Sequence, residues 1–505
     1  MDVFNTTRGS QILRKPLGII AMLLFVFLTA KVMASKGLIM GIMMVILPGA
    51  IIFVNRVFNN PRLGLMSVFV VEFFVLGLGR YVQGVPMGLA VDGLLIITYI
   101  ALIFKHFYEK VDWSPTKNLL TYLAMIWMGY AFLELVNPEA NSRVAWFYAM
   151  RGVSLYMVLT VPLVFMLWRK PKDVERFLIL WAIFSIIGTL KGIGQKIFGV
   201  DPWEQAWLDA GGAITHILFG KLRIFSFYTD AGQFGAAQGQ AGVVFTILFL
   251  TYHEKKDKLK RYFFLIAGLL GLYGMLISGT RGAIATPIAG FFLYLILTKN
   301  IKILAIGSLM GLSVLFMLKY TLIGNQNADI RRLRSAFDPN DPSLQTRLNN
   351  QKILKAYLAT RPFGGGIGSS GAWGQRFSPN AFLSHVATDS WFVVIWAEQG
   401  IIGLYLHLAI LFTIVGRASY FIMFKLKDPI LTGQMRAMAS GILGIMGASY
   451  GNAVLGQMPT GIIIYISMAL LFMAPEFDRM IEEKKGEQKD KLVIESAKNS
   501  NLISK

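Results

Sequence analysis

The chain has 505 residues, 55% of them hydrophobic and only 15% charged, where a soluble domain is about one-quarter charged. This excludes an ordinary water-soluble globule, and the lack of cysteine excludes a disulfide framework or a thiolate metal site. A net charge of +21 raises nucleic acid as a partner, so the placement of the charges has to decide.

A bilayer core needs about 20 mostly apolar residues per helix. Such stretches fall at 16–34, 37–54, 63–78, 88–104, 118–136, 152–168, 174–194, 237–252, 262–278, 283–298, 303–318, 389–416, 436–455 and 460–474. They predict an all-α, polytopic transmembrane bundle of about 12–14 helices embedded in a lipid bilayer. The first stretch has a basic flank and ends in Val32-Met33-Ala34, which superficially fits a signal-peptide cleavage site. A second apolar run starts at once and favours retention; either way residue 35 emerges on the same side.

With the N-terminus inside, Lys and Arg concentrate in the even-numbered connections, above all Glu254–Arg261 (EKKDKLKR) and Arg169–Arg176 (RKPKDVER). Cytoplasmic loops carry this bias, so the basicity needs no nucleic acid. Both termini are then cytoplasmic, and residues 475–505, of mixed charge, form a solvated tail. The organisation expected is 1–318 for the first eleven spans, with an outer segment near 195–236; 319–388 for a large outer loop; and 389–474 for the last spans.

The outer loop is the informative irregularity, because structureless loops beyond about 15 residues are uncommon and usually functional. Within it, Ser343–Thr360 spaces Leu344, Leu348, Ile353, Tyr357 and Leu358 as a helix does. Arg361-Pro362 ends that helix, and Gly364-Gly365-Gly366-Ile367-Gly368 makes a tight turn. Nine Lys and Arg face three acids, Asp329, Asp338 and Asp341, between 319 and 388. Arg223 and Arg281 lie on the same side, each near a membrane boundary. Arginine's planar fork suits phosphate, so the cluster suggests a lipid-linked diphosphate at the outer leaflet; the competing reading is arginines that only tether the loop.

Four regions between about 220 and 405 resemble the O-antigen ligase/polymerase membrane proteins. Leu222–Gly239 (LRIFSFYTDAGQFGAAQG) is similar to the family's outer Arg before a polar turn and a span, with Arg223 as that Arg. Ser278–Ala283 (SGTRGA) looks like its Ser-x-Ser/Thr-Arg-Gly element and puts Arg281 at the membrane surface. The large loop with Arg347, a helix and Pro362–Gly368 (PFGGGIG) resembles its Pro-x-Gly-x-Gly ending. The fourth is the span before Gly400 and Gly403, where ligases carry His, a polar residue, nine residues and Gly-x-x-Gly. Here those first two positions are Asp389-Ser390.

The resemblance implies a bacterial inner-membrane enzyme, with its site facing the periplasm, that moves a glycan from undecaprenyl diphosphate to the hydroxyl of a glycan acceptor with inversion. Arg223, Arg281, Arg347 and Arg361 would bind the diphosphate or glycan, and Arg281 would also assist the leaving group. Asp389 either replaces the ligase histidine as base or caps the next helix, or does both. His385 is the alternative imidazole, one turn earlier if the helix begins there. The absent ligase histidine favours a polymerase over a ligase acting on lipid A core; a chain-length regulator or other assembly proteins would be its partners. A transporter is the reading from a different class. No cofactor is implied, and no outer Asp-x-Asp pair suggests a metal. Glu72, Asp92, Glu134 and Glu398 lie in or near spans, and Glu398 reads as structural.

Overall fold

In hydrocarbon a backbone must bond to itself, so apolar runs of bilayer length become helices. The structure, a computed structural model, describes residues 16–82, 87–218, 220–253 and 257–503. The expectations for the first fifteen residues and for Glu254, Lys255 and Lys256 of the richest basic connection lie outside these. All fourteen apolar stretches fall on helices: α1 (Pro16–Lys36), α2 (Leu38–Asn59), α3 (Pro61–Leu78), α4 (Leu89–Tyr108), α5 (Leu119–Val136), α6 (Arg143–Leu167), α7 (Pro171–Phe198), α8 (Ala231–Thr251), α9 (Lys258–Ile277), α10 (Arg281–Leu297) and α11 (Ile301–Tyr320), then, after the large loop, three more. The loop carries α12 (Ala328–Arg334), α13 (Pro342–Leu358), α14 (Gly371–Phe377) and α15 (Phe382–His385), followed by α16 (Trp391–Phe424), α17 (Pro429–Ala448) and α18 (Thr460–Ile503). Ten helices among the described residues are long and apolar enough to cross a membrane. The one sheet there is a ribbon of β1 (Ile217–Leu218) antiparallel to β2 (Lys221–Leu222).

Packing divides the chain into two compact units, one of residues 1–64 with 96–111 and the other of 65–95 with 112–505. The first holds α1, α2 and the later part of α4, where Phe58 meets Phe104 edge to face at 5.5 Å. The second is built around α8, whose residues 231–245 are buried throughout. Small residues let neighbours close on it: a Cβ on Gly239 would come 3.1 Å from Thr286 Cβ, and one on Gly271 of α9 would come 2.7 Å from the Gly242 nitrogen. Close backbone approach of this kind is how helices associate in lipid.

Three boundaries differ from the hydropathy reading, each for a local reason. α8 starts at Ala231, not 237, because Asp230 accepts from the Gly232 and Gln233 amides at 2.6 and 3.0 Å and so caps a Gln- and Gly-rich first turn of low hydropathy. α17 runs 429–448 rather than 436–455. Asp428 caps it, accepting from Leu431 N at 2.7 Å, with Pro429 at the first position, and residues 449–459 are not helical. α18 continues without a break from 460 to 503, so 474–475 marks no change of local structure.

The intramembrane acids divide in the same concrete way. Asp92 pairs with Arg151 at 2.7 Å, and Glu134 accepts from Asn137 at 2.7 Å. Glu72 is fully buried, and both its carboxylate oxygens lack a hydrogen-bond partner among the described residues.

Candidate functional site

Arg223 follows directly on β2, and the turn after it is held from below. The Arg80 guanidinium lies over the Phe225 and Trp207 rings, 4.3 and 4.8 Å from their centroids. It donates to the carbonyls of Ser226 at 2.8 Å, Thr229 at 3.2 Å and Tyr228. Burial, eased by Glu204, brings Arg80 down to about 10, a value at which it stays cationic at neutral pH. Gln195 accepts from Phe225 and Ser226 amides at 3.3 and 2.8 Å. These bonds fix the path from Arg223 to the Asp230 cap.

At this end of the bundle a cleft of about 420 Å³ is lined by Arg223, Asp230, Thr280, Arg281, Arg332, Arg347, Thr388, Asp389, Asn452 and Gln457, among others. Arg223 donates to Thr280 Oγ1 at 3.0 Å and to Thr215 O at 3.3 Å, while its buried Nε has no hydrogen-bond partner among the described residues. The Thr280 hydroxyl donates in turn to Ala231 O at 2.8 Å, tying the Arg281 turn to the start of α8. Arg281 pairs with Asp341, the cap of α13, and donates to Ser335 Oγ at 3.2 Å. Arg347, two turns along α13, reaches Asp389 Oδ2 at 3.5 Å.

The cleft is unbalanced in charge. Burial, then the facing Arg332 guanidinium, pulls Arg223 below its ordinary range, with Asp230 opposing and Arg281 adding to the effect. Arg332 is lowered in turn, by burial and then by Arg281. Cations that disfavour one another's charge in a partly desolvated hollow make a ready receptor for an anion.

α16 starts at Trp391 with Ser390 as its N-cap, so Asp389 stands outside the cap position and its carboxylate faces Arg347 instead. Helix α15 ends at His385, and Val386 turns extended; the two residues are therefore not one helical turn apart. His385 is exposed and does not line the cleft. Arg361 also lies outside it, bonded to Glu139 at 2.8 Å and to Tyr357 O at 2.9 Å. Of the six residues singled out from the sequence, the structure gathers Arg223, Arg281, Arg347 and Asp389.

The third and fourth motifs meet through backbone. Gly400 breaks α16 at φ 66°, ψ −169°, and a Cβ there would sit 2.0 Å from Pro362 O. Gly364, at φ 73°, would strike the Gly400 nitrogen at 2.4 Å. Only glycine fits both demands. Across this contact Gly365 N donates to Ala397 O at 2.9 Å and Gly366 N to Glu398 O at 2.8 Å. The Glu398 carboxylate accepts from Ser370 N and Oγ at 3.1 and 2.8 Å, a fastening role that suits its structural reading.

Arg332, Asp230, Asn452 and Gln457 were not singled out. Asp230 lay inside a quoted motif as part of a polar turn. Asn452 was obscured because hydropathy carried a span through 455, and Gln457 fell in the short connection after it, yet Asn452 Nδ2 and Gln457 Oε1 are buried polar atoms without a hydrogen-bond partner among the described residues.

A profile of the family described as O-antigen ligase matches residues 266–408. That stretch is therefore similar to the O-antigen ligase family. A search of curated proteins finds no match. The matched region runs from α9 through the large loop into α16, and so contains Arg281, Arg332, Arg347 and Asp389. Arg223 and Asp230 precede it, and Asn452 and Gln457 follow it, yet the fold brings all of them to the same cleft.

Proposed function

We propose that the protein transfers a glycan from undecaprenyl diphosphate to a sugar hydroxyl at the periplasmic face, and that the cleft between Arg223 and Asp389 is where this happens. The observation that carries the reading is the convergence of four arginines, Arg223, Arg281, Arg332 and Arg347, on one open hollow with Asp389 at its edge. The diphosphate binds among Arg223, Arg281 and Arg332. The acceptor oxygen attacks the anomeric carbon from the side opposite the diphosphate, so the new glycosidic bond forms as the carbon–oxygen bond to diphosphate breaks, with inversion. Negative charge grows on the leaving oxygens, and fixed guanidinium groups hold it better than the ground state, which is the electrostatic route to rate enhancement. Asp389 takes the acceptor proton, and its partner Arg347 orients it. Undecaprenyl diphosphate leaves.

The test is turnover. Purified protein in detergent with defined undecaprenyl-diphosphate-linked repeat units should yield polymer and free undecaprenyl diphosphate. Product formed where there are no two compartments excludes pure transport. Arg223→Ala, Arg281→Ala and Asp389→Ala proteins that fold normally and leave output unchanged would refute the reading.

Asp389-Ser390 in place of the ligase histidine favours a polymerase, whose acceptor is another lipid-linked unit, while the family match favours a ligase, whose acceptor is lipid A core. Deletion in the native host separates them. Loss of long glycan with single repeats still attached points to polymerase, and accumulation of unattached long polymer points to ligase.

A further inference from the structure

The opposite end of the same bundle holds a second basic hollow that glycan transfer does not use. Its lining includes Lys299, Lys427 and Arg436 with Thr251, Tyr294 and Thr298, and no carboxylate among the described residues. Helix α8 places its first residue by the arginine cleft and its last, Thr251, in this hollow. Its 21 residues span about 30 Å at 1.5 Å each, the thickness of a bilayer core. Helices α10 and α16 make the same connection, α10 between Arg281 and its C-cap Thr298, and α16 from just after Asp389 to Met423 near its end. The two hollows therefore lie at opposite membrane surfaces.

Several features show more than the general excess of cations in connections. Lys299 adopts a left-handed backbone, φ 55°, which usually falls to glycine or asparagine after a helix; there its ammonium stands 4.4 Å over the Phe424 ring. Arg436 comes from the helix interior of α17, and its buried Nε has no hydrogen-bond partner among the described residues. Lys299, Lys427 and Arg436 form no ion pair there either. Beside these cations Leu250, Ile303 and Phe424 stay 44%, 42% and 64% exposed, an apolar border on a charged hollow. Topological bias calls for cations in a connection, but not for their convergence on one concavity beside bare apolar surface.

We propose that this hollow binds the phosphate of an anionic phospholipid headgroup, with Lys299, Lys427 and Arg436 on the phosphate and the acyl chains along Leu250 and Ile303. A free phosphate ion would satisfy the cations and leave the apolar border unused. The site is independent of glycan transfer and is read without turnover.

The test uses the full-length protein in nanodiscs and native mass spectrometry. After delipidation, wild type should retain phosphatidylglycerol in preference to phosphatidylcholine. The Lys299→Ala/Lys427→Ala protein, altered only at exposed positions, should bind it roughly 30-fold more weakly, at about 1 kcal/mol per cation. Arg436→Gln should weaken it as well, and if that buried change prevents folding the double variant carries the test alone. Millimolar inorganic phosphate should neither displace the lipid nor raise the thermal midpoint. Equal lipid retention by wild type and the double variant, equal retention of phosphatidylcholine, or stabilisation by inorganic phosphate alone would each overturn the proposal.

Discussion

Replacing Arg223 by alanine tests the arginine cleft most directly, because the structure defines what that side chain has left to give. A guanidinium carries five N–H donors. Arg223 donates from its two terminal nitrogens to Thr215 O and Thr280 Oγ1, and its Nε is unpartnered among the described residues. The second N–H on each terminal nitrogen is thus left to take two oxygens of a diphosphate. Hydrogen bonds to charged groups contribute about 1.5–3 kcal/mol each; taking the lower figure twice, for a cleft open to water, gives about 3 kcal/mol, or roughly a hundredfold in kcat/KM. Lysine keeps the charge but cannot fork, so Arg223→Lys should lose about tenfold. The assay is initial rate of undecaprenyl diphosphate release from a defined lipid-linked donor, with the thermal midpoint of each variant as control. A folded Arg223→Ala protein within about threefold of wild type would refute the diphosphate assignment.

Other expectations follow from neighbouring geometry. Arg332→Gln removes a cation that opposes Arg223, so the unliganded protein should gain stability by ~0.5 kcal/mol while transfer slows; lower stability with unchanged transfer would contradict the charge argument. Gly400→Ala puts a Cβ against Pro362 O at a left-handed position and should cost about 3 kcal/mol, read as a fall in thermal midpoint. Arg361→Ala breaks only contacts outside the cleft and should leave KM for the lipid-linked donor within about twofold. His216, packed between Trp207 and Phe225, is held by burial below its ordinary value of 6.5. The unfolded chain then binds the proton first, so its stabilising share is complete above pH 6.5 and declines as pH falls below it. Thermal midpoints from pH 7.5 to 5.5 should drop for wild type and drop less for His216→Gln.

The fold was legible because the bilayer imposes one rule on every span, and each apolar stretch duly fell on a helix. Legibility failed where polar residues are buried by protein rather than by lipid. The Gln- and Gly-rich start of α8 and the Asn452 to Gln457 segment have similar modest hydropathy, yet one is a buried helix and the other a cleft wall. Arg223, Arg281 and Arg347 could be found because each falls in a stretch that resembles a motif of the O-antigen ligase/polymerase proteins. Arg332 has the same chemistry, but no linear motif distinguishes it from Arg331 and Arg334 beside it. Its direction is set by how α12 lies against Gly279, a tertiary contact.

The join between Pro362–Gly366 and the break in α16 is made from main-chain atoms on both sides. The join asks for glycine at 364 and 400 but for no particular side chain in the loop beyond it, so it can act as a fixed hinge-pin for exchanging the rest of the loop. Chimaeras that import residues 321–341 from another such protein, with Arg332 retained and crossovers in α11 and at Asp341, would keep the pin, the Arg347 helix and the cleft's cations while altering the loop beside the cleft. Recipient strains could then be scored for a new sugar preference, and the scaffold would already be suited to that kind of exchange.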